Sequence, residues 1–299
     1  MKQKILLLGK NGQLGFELQR SLASLGEVVA VGSAECNLAD AEALRALVRS
    51  VRPYLIVNAA AYTAVDKAET EVDLAMAVNA RAPGILGEEA ARIGAWVIHY
   101  STDYVFDGSA AVPYVETDAT HPLSVYGRSK LAGEQALQAA LDRHLILRTS
   151  WVLGAHGGNF AKTMLRLAAQ RTSLNVVADQ WGAPTSAALL ADMTAQGIRQ
   201  SHMDGDASFP YGLYHLTAAG ETNWCDYARF VIAAARIAGK PLQMGPEDIH
   251  PIRTADYPLP APRPANSRLC TEKFRTTFGL PLPHWEDGVR DVLLQVFAQ

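Results

Sequence analysis

Tyr126-Gly127-Arg128-Ser129-Lys130 spaces a phenol and an amine one helical turn apart, on a single helix face. An ammonium beside a phenol favours the phenolate. It draws the tyrosine pKa down from about 10 toward the range of a useful acid catalyst. Tyr-x-x-x-Lys alone also arises as an ordinary surface pair. Here Ser101-Thr102-Asp103 ends a short apolar run 24 residues earlier, where a hydroxyl can hold a carbonyl beside Tyr126. Together the three side chains Tyr126, Lys130 and Thr102 suit the reduction of a ketone: an acid, a group that tunes it, and a group that orients the carbonyl.

A third feature supplies the partner for that chemistry. Gly9-Lys10-Asn11-Gly12-Gln13-Leu14-Gly15 follows a first apolar run directly and opens a helical pattern. Glycines let such a turn approach a pyrophosphate closely, and a helix N-terminus offers free N–H groups to it. Gly9, Asn11, Gly12, Gln13, Leu14 and Gly15 are therefore cofactor-binding candidates. The second run ends Val31-Gly32-Ser33 with neither acid nor arginine at its tip, and Glu35 lies past the turn. An acid there would select NAD through the ribose 2′-OH. Its absence leaves NADPH or NADH as the expected cofactor. Asn37 and Leu38 are placed at the adenine edge, although a plain turn accounts for Asn37 as well. Ala60, Ala61, Tyr62 and Thr63 follow the third run, where small residues let ribose and phosphates pass over the backbone. Tyr100, near the end of the fourth run, is placed on the cofactor side with Tyr126 and Lys130.

These groups need a scaffold, and the pattern of the chain describes one. Apolar runs at Ile5–Leu8, Val28–Val31, Leu55–Val57, Trp96–His99 and Leu145–Leu147 alternate with helical stretches at Leu14–Leu25, Ala41–Val51, Asp73–Ile93 and Ser124–Leu141. Such alternation predicts an α/β fold: a doubly wound, parallel, Rossmann-type sheet. After Leu153 the pattern changes to helices at Phe160–Arg171, Ala187–Arg199, Trp224–Ala238 and Trp285–Phe297. Short strands are expected at Asn175–Val177 and Leu213–Leu216. Prolines cluster between Pro241 and Pro264, as in an irregular cleft-lining segment. The division expected is a cofactor domain over 1–153 and a smaller, partly helical substrate domain over 154–299, with the chain free to cross between them.

Composition sets the outer limits. Of 299 residues, 49% are hydrophobic and 19% charged, which is ordinary for a globular protein. With 27 basic against 30 acidic residues, no basic excess exists to grip a phosphate backbone, so nucleic acid is not an expected partner. Three separated cysteines argue against a disulfide framework. The first apolar run is too short for a signal peptide or a membrane span, and a cytoplasmic location without a membrane partner is expected.

The G-x-x-G-x-x-G spacing resembles that of the extended short-chain dehydrogenases/reductases. Within them the chain resembles the dTDP-4-dehydrorhamnose reductases over essentially its whole length. Besides the motifs above, the likeness rests on Thr63–Glu69, Ser101–Phe106, Arg148–Val152, Asn159-Phe160-Ala161, Asp179-Gln180, Gly182–Thr185, and Arg263-Pro264 with Asn266-Ser267. In related nucleotide-sugar dehydratases the strand-end threonine is followed by Asp-Glu, which drives loss of water. Here Tyr104 stands in place of that glutamate, so the resemblance implies simple ketone reduction.

It implies a nucleotide-sugar substrate held by Thr102, Asp103, Tyr104, Val105, Trp151, Asn159 and the diphosphate candidates Arg148 and Arg263. Some members join subunits through magnesium held by acids. Only Glu17 matches that set here, because Ala188 and Gln295 stand near where other acids would be expected. Neither magnesium nor a firm dimer is therefore expected, and the chain reads as a monomer or weak homodimer. Two further readings stay open on sequence: a nucleotide-binding regulatory subunit of the same fold, or another nucleotide-sugar reductase or epimerase.

Overall fold

The computed structural model describes residues 3–204 and 208–298. Its strands are β1 (Lys4–Leu8), β2 (Glu27–Val31), β3 (Leu55–Asn58), β4 (Trp96–Thr102), β5 (His144–Thr149), β6 (Val152–Leu153), β7 (Leu174–Val177), β8 (Trp181–Gly182), β9 (Thr185–Ser186), β10 (Gly212–His215), β11 (Thr222–Asn223) and β12 (Ile249–Ile252). Its α-helices are α1 (Gln13–Leu22), α2 (Ala41–Val51), α3 (Val65–Ala68), α4 (Val72–Met76), α5 (Ala82–Ile93), α6 (Val125–Ala140), α7 (Phe160–Ala168), α8 (Ala187–Asp204), α9 (Trp224–Ile237), α10 (Glu272–Phe278) and α11 (Trp285–Phe297).

Six parallel strands form the central sheet in the order β10-β5-β4-β3-β1-β2. Both faces are covered, which explains why the strands read as continuous apolar runs. Ile5 and Leu7 of β1 face one core with Leu14, Leu18 and Leu22 of α1. Leu6 and Leu8 face the other with Leu44 and Val48 of α2 and Leu86 of α5. This is the doubly wound Rossmann-type sheet expected from the alternation. The sheet's outermost strand on one side, β10, comes from far along the chain and pairs with β5. The cofactor scaffold thus draws on residues beyond 153. The rest of the later chain adds three two-stranded pairs, β7–β12, β8–β11 and β6–β9, with α7, α9 and α11 packed among them.

One expected helix is broken. The Asp73–Ile93 stretch splits into α4, a π-helical segment at Ala77–Arg81, and α5. Pro83 stands in the first turn of α5. It has no N–H to give the Asn79 carbonyl, and its ring crowds that carbonyl, so the preceding turn widens. The widened turn matters because it carries Asn79, described below. No helix of the described residues is long and apolar enough to cross a membrane.

Candidate active site between two cavities

Ligands of a parallel sheet gather beyond its strand C-termini, and two clefts lie close together on that side. The first, of about 520 Å³, is lined by the glycine turn, Gly32, Ser33, Asn37, Leu38, Ala59–Thr63, Tyr100, Ser101, Tyr126, Lys130 and Thr149. The glycine turn is built by close approach. Gly9 sits at φ +90°, and a Cβ on it would lie 2.7 Å from the Ala60 nitrogen. A Cβ on Gly15 would lie 1.9 Å from the Gly9 carbonyl oxygen. No side chain larger than hydrogen fits either place, and the N-terminus of α1 is left open to the cavity.

Two more observations fit this cavity to a dinucleotide. Ser101 Oγ and Thr149 Oγ1 line it, both buried and without a hydrogen-bond partner. Buried hydroxyls of that kind call for a polar ligand. Every cofactor-binding residue expected from the sequence except Gly15 lines the cavity, and Gly15 packs beneath the turn.

The β2 tip differs from the sequence expectation in one respect. Glu35 folds back so that its carboxylate accepts from the Gly32 N–H at 2.8 Å and from Lys10. Those two donors hold its carboxyl below the usual carboxylate range, Lys10 the more strongly. An acid therefore does reach the tip, neutralised by the Lys10 ammonium.

The second cavity, of about 870 Å³, is lined by Tyr104, Phe160, Leu174, Gln180, Trp224, Tyr257, Arg263 and their neighbours. The proline-rich stretch expected to line a cleft does so through Tyr257–Leu259 and Ala261–Arg263. The wall between the cavities is a pair of rings: Tyr104 meets Tyr126 edge to face at 5.6 Å between centroids. Tyr126 faces the first cavity and Tyr104 the second.

Helix α6 positions Tyr126 and Lys130. Its N-cap Ser124 accepts from the Gly127 N–H at 3.1 Å. Asn79, on the widened turn, fastens α6 to the cofactor side. Its Nδ2 donates to Ser129 Oγ at 3.0 Å and to the Tyr62 carbonyl at 2.9 Å, and its Oδ1 accepts from the Tyr62 N–H at 2.8 Å. Sequence reading passed over Asn79, and the proline four residues on was the available signal.

At the end of β4, the Thr102 hydroxyl donates to Asp103 Oδ1 at 2.9 Å and also meets the Tyr126 phenol. Burial pushes the Asp103 carboxyl up to about 6. Burial, and the Asp103 carboxylate after it, push the Tyr126 phenol up to about 12. This corrects the direction expected from the Tyr-x-x-x-Lys spacing. The Lys130 amine does not reach Tyr126 directly; it donates to the Tyr100 carbonyl at 2.6 Å and meets His99 Nε2 at 3.2 Å. Burial lowers its own pKa to about 8.

Other expected substrate residues separate into two groups. Tyr104 and Arg263 line the second cavity, with Arg263 braced by Asp66 at 2.9 Å. Trp151 stacks on Trp224 at 3.6 Å, held at φ 46°, a rare conformation for a bulky residue. Trp224, absent from the sequence expectations, is the ring of that stack that faces the cavity. Thr102, Asp103, Trp151, Arg148, Asn159 and Val105 do not themselves line either cavity, Thr102 and Asp103 lying buried behind Tyr126 and Tyr104. Arg148 is buried in a two-pronged pair with Glu134 at 2.7 and 2.9 Å, so its charge is already matched and is not free for a phosphate. Asn159 caps α7 and donates to Gln13 Oε1 and the Gly154 carbonyl. Val105 packs in a small core with Phe106 and Tyr114. Glu17 pairs with Arg20, which also reaches Asp192. Among the described residues no group of three or more His, Cys, Asp or Glu side chains is arranged to hold a metal.

The family model described as RmlD substrate binding domain matches residues 3–297. A dTDP-4-dehydrorhamnose reductase of Escherichia coli K12 is 53% identical, over 98% of each chain. The crystal structure of a dTDP-4-dehydrorhamnose reductase from Clostridium acetobutylicum superposes with a TM-score of 0.90 at 34% identity, over 99% of this chain and all of that one. One from Bacillus anthracis, solved in complex with NADP, superposes with a TM-score of 0.89 at 32% identity and the same coverage.

Proposed function

Because the chain belongs to the dTDP-4-dehydrorhamnose reductase family, we propose that its two cavities hold the two reactants on either side of the Tyr104–Tyr126 wall. The reaction is reduction of the C4 ketone of dTDP-4-dehydro-β-L-rhamnose to dTDP-L-rhamnose with NADPH or NADH. The glycine turn and the N-terminus of α1 take the pyrophosphate, and Ser101 and Thr149 line the same cavity. The bound dinucleotide supplies the hydride.

This chain's residues supply the rest. Thr102 orients the ketone oxygen toward the Tyr126 phenol. As C4 receives the hydride, negative charge gathers on that oxygen, and the Tyr126 O–H bond breaks to give it the proton. A phenol near pKa 12 is fully protonated at neutral pH, which suits an acid in the reducing direction. The Lys130 charge, one helical turn on, stabilises the phenolate left behind across space, without a direct bond to it. In the second cavity Trp224, backed by Trp151, offers an apolar face to the nucleotide base or sugar, and Arg263, whose pair with Asp66 is partly exposed rather than buried, offers its remaining N–H groups to the diphosphate.

The observation that carries this reading is Tyr126 in the lining of the first cavity, packed edge to face on Tyr104 in the lining of the second. Tyr126→Phe keeps the ring and removes the proton donor. Its kcat for ketosugar reduction should fall about 10²–10⁴-fold with little change in cofactor affinity. Near-native turnover would remove Tyr126 from the role.

A further inference from the structure

His99 is a buried imidazole in the middle of β4, and the reaction described above makes no use of it. Both of its ring nitrogens are engaged. Nε2 lies 3.2 Å from the Lys130 amine, and Nδ1 lies 3.1 Å from Asn58 Nδ2 at the end of β3. Asn58 is buried too, and its Oδ1 accepts from the Ala60 N–H at 3.2 Å, in the lining of the cofactor cavity. A chain of polar contacts therefore runs from the cavity lining at Ala60 through Asn58 and His99 to Lys130. A polar group that deep in a parallel sheet is costly unless it is hydrogen-bonded, and Asn58 and Lys130 are the partners His99 has.

We infer, on the strength of the reading that Lys130 serves the reduction, that His99 is a positioning residue which holds the Lys130 amine through Nε2. Lys130 has a long, flexible side chain, and its remaining contact is the Tyr100 carbonyl. The only nearby carboxylate on its own helix, Glu134, is taken up by Arg148. Tyr126 lies one turn before it, and Asp103 faces Tyr126 rather than the amine. His99 is thus the side chain that fixes where the amine stands.

The proton count ties the ring to the amine. With Asn58 oriented as it is, its N–H faces Nδ1, so the single proton of the neutral ring belongs on Nε2, toward Lys130. An ammonium at Lys130 donates to Nε2 instead, which puts the ring proton on Nδ1 and turns the Asn58 amide over, at the cost of the bond that Asn58 accepts from the Ala60 N–H. Burial keeps the ring neutral by lowering its pKa well below the ordinary histidine value. The ring therefore serves Lys130 as an adaptable partner, donor or acceptor, without competing for its charge.

Two substitutions separate the ring nitrogens. A glutamine amide reaches the place of Nε2 and can donate or accept there; an asparagine amide reaches only the place of Nδ1. In steady-state reduction of the dTDP-ketosugar with NADPH, His99→Gln should keep kcat within about threefold of native. His99→Asn should lose kcat on the order of 10–100-fold, the scale of a misplaced catalytic group, with KM for the ketosugar little changed. Thermal unfolding of both variants, followed by circular dichroism, controls for folding. A merely structural role would make kcat follow the melting temperature in both. Equal kcat in the two variants, or losses that track stability alone, would overturn the inference. Tyr126→Phe run alongside tests the underlying reading separately: if it stays active, the site assignment fails whatever His99 does.

Discussion

Adding one methyl group at Gly15 tests the cofactor turn most sharply. The new Cβ would sit 1.9 Å from the Gly9 oxygen, 2.6 Å from the Gly9 carbonyl carbon and 3.1 Å from Lys10 Cα, all backbone atoms. It is roughly 1.5 Å short of ordinary contact. The turn cannot retreat, because the Gly9 N–H is tied to the Val31 carbonyl at 2.9 Å and Gly9 rests against Ala60. Helix α1 must move instead, against the packing of Leu14, Leu18 and Leu22. Forced overpacking of this kind costs about 1–3 kcal/mol. If the cost falls on the cofactor-binding geometry, Kd for NADPH rises about 5–150-fold. Fluorescence titration with NADPH measures it, beside thermal unfolding to record the share that falls on stability. Gly158→Ala, where a Cβ would meet nothing within 4 Å, is the matched control and should change neither. A Gly15→Ala protein that binds NADPH like native, at native melting temperature, would refute the account of the turn.

Two other outcomes follow from the electrostatics. Glu35→Gln removes the carboxylate that occupies Lys10, so the freed ammonium should favour NADPH over NADH; the ratio of their kcat/KM values should shift about 2–5-fold toward NADPH. An unchanged ratio would place the 2′-phosphate elsewhere. Lys130, lowered to about 8 by burial, loses its charge as pH rises through that value, and with it the stabilisation of the Tyr126 phenolate. In a pH series, kcat/KM for the ketosugar should therefore decline above about pH 8. A profile flat to pH 10 would show that the charge is not needed.

What the sequence made legible follows from where information is local. Buried parallel strands are apolar throughout, so β1 to β5 stood out as runs. The glycine turn and the Tyr126–Lys130 spacing are contained within a few residues. Partnerships across the sheet were hidden. Arg148 looked free until β5 set it against Glu134 of α6. Asn159 looked like a ligand until the β6–α7 loop brought it to Gln13. Glu35 lay past the turn in sequence yet returned to the β2 tip, because Gly32 and Lys10 offered it two donors. Trp224, at the start of the α9 pattern, carries no local sign of a ligand role; its stack on Trp151 and its place in a cavity lining come only with the fold. The widened turn at Ala77–Arg81 was concealed because a helical period continues on both sides of it.

The most direct measurement is turnover itself. The purified protein is mixed with dTDP-4-dehydro-β-L-rhamnose, generated in place by the upstream enzymes, and NADPH oxidation is followed at 340 nm with the nucleotide sugar identified by NMR. The account predicts one NADPH oxidised per ketosugar consumed and dTDP-L-rhamnose as the single product, with NADH also accepted. Binding of NADPH and the nucleotide sugar with no oxidation above background would contradict it.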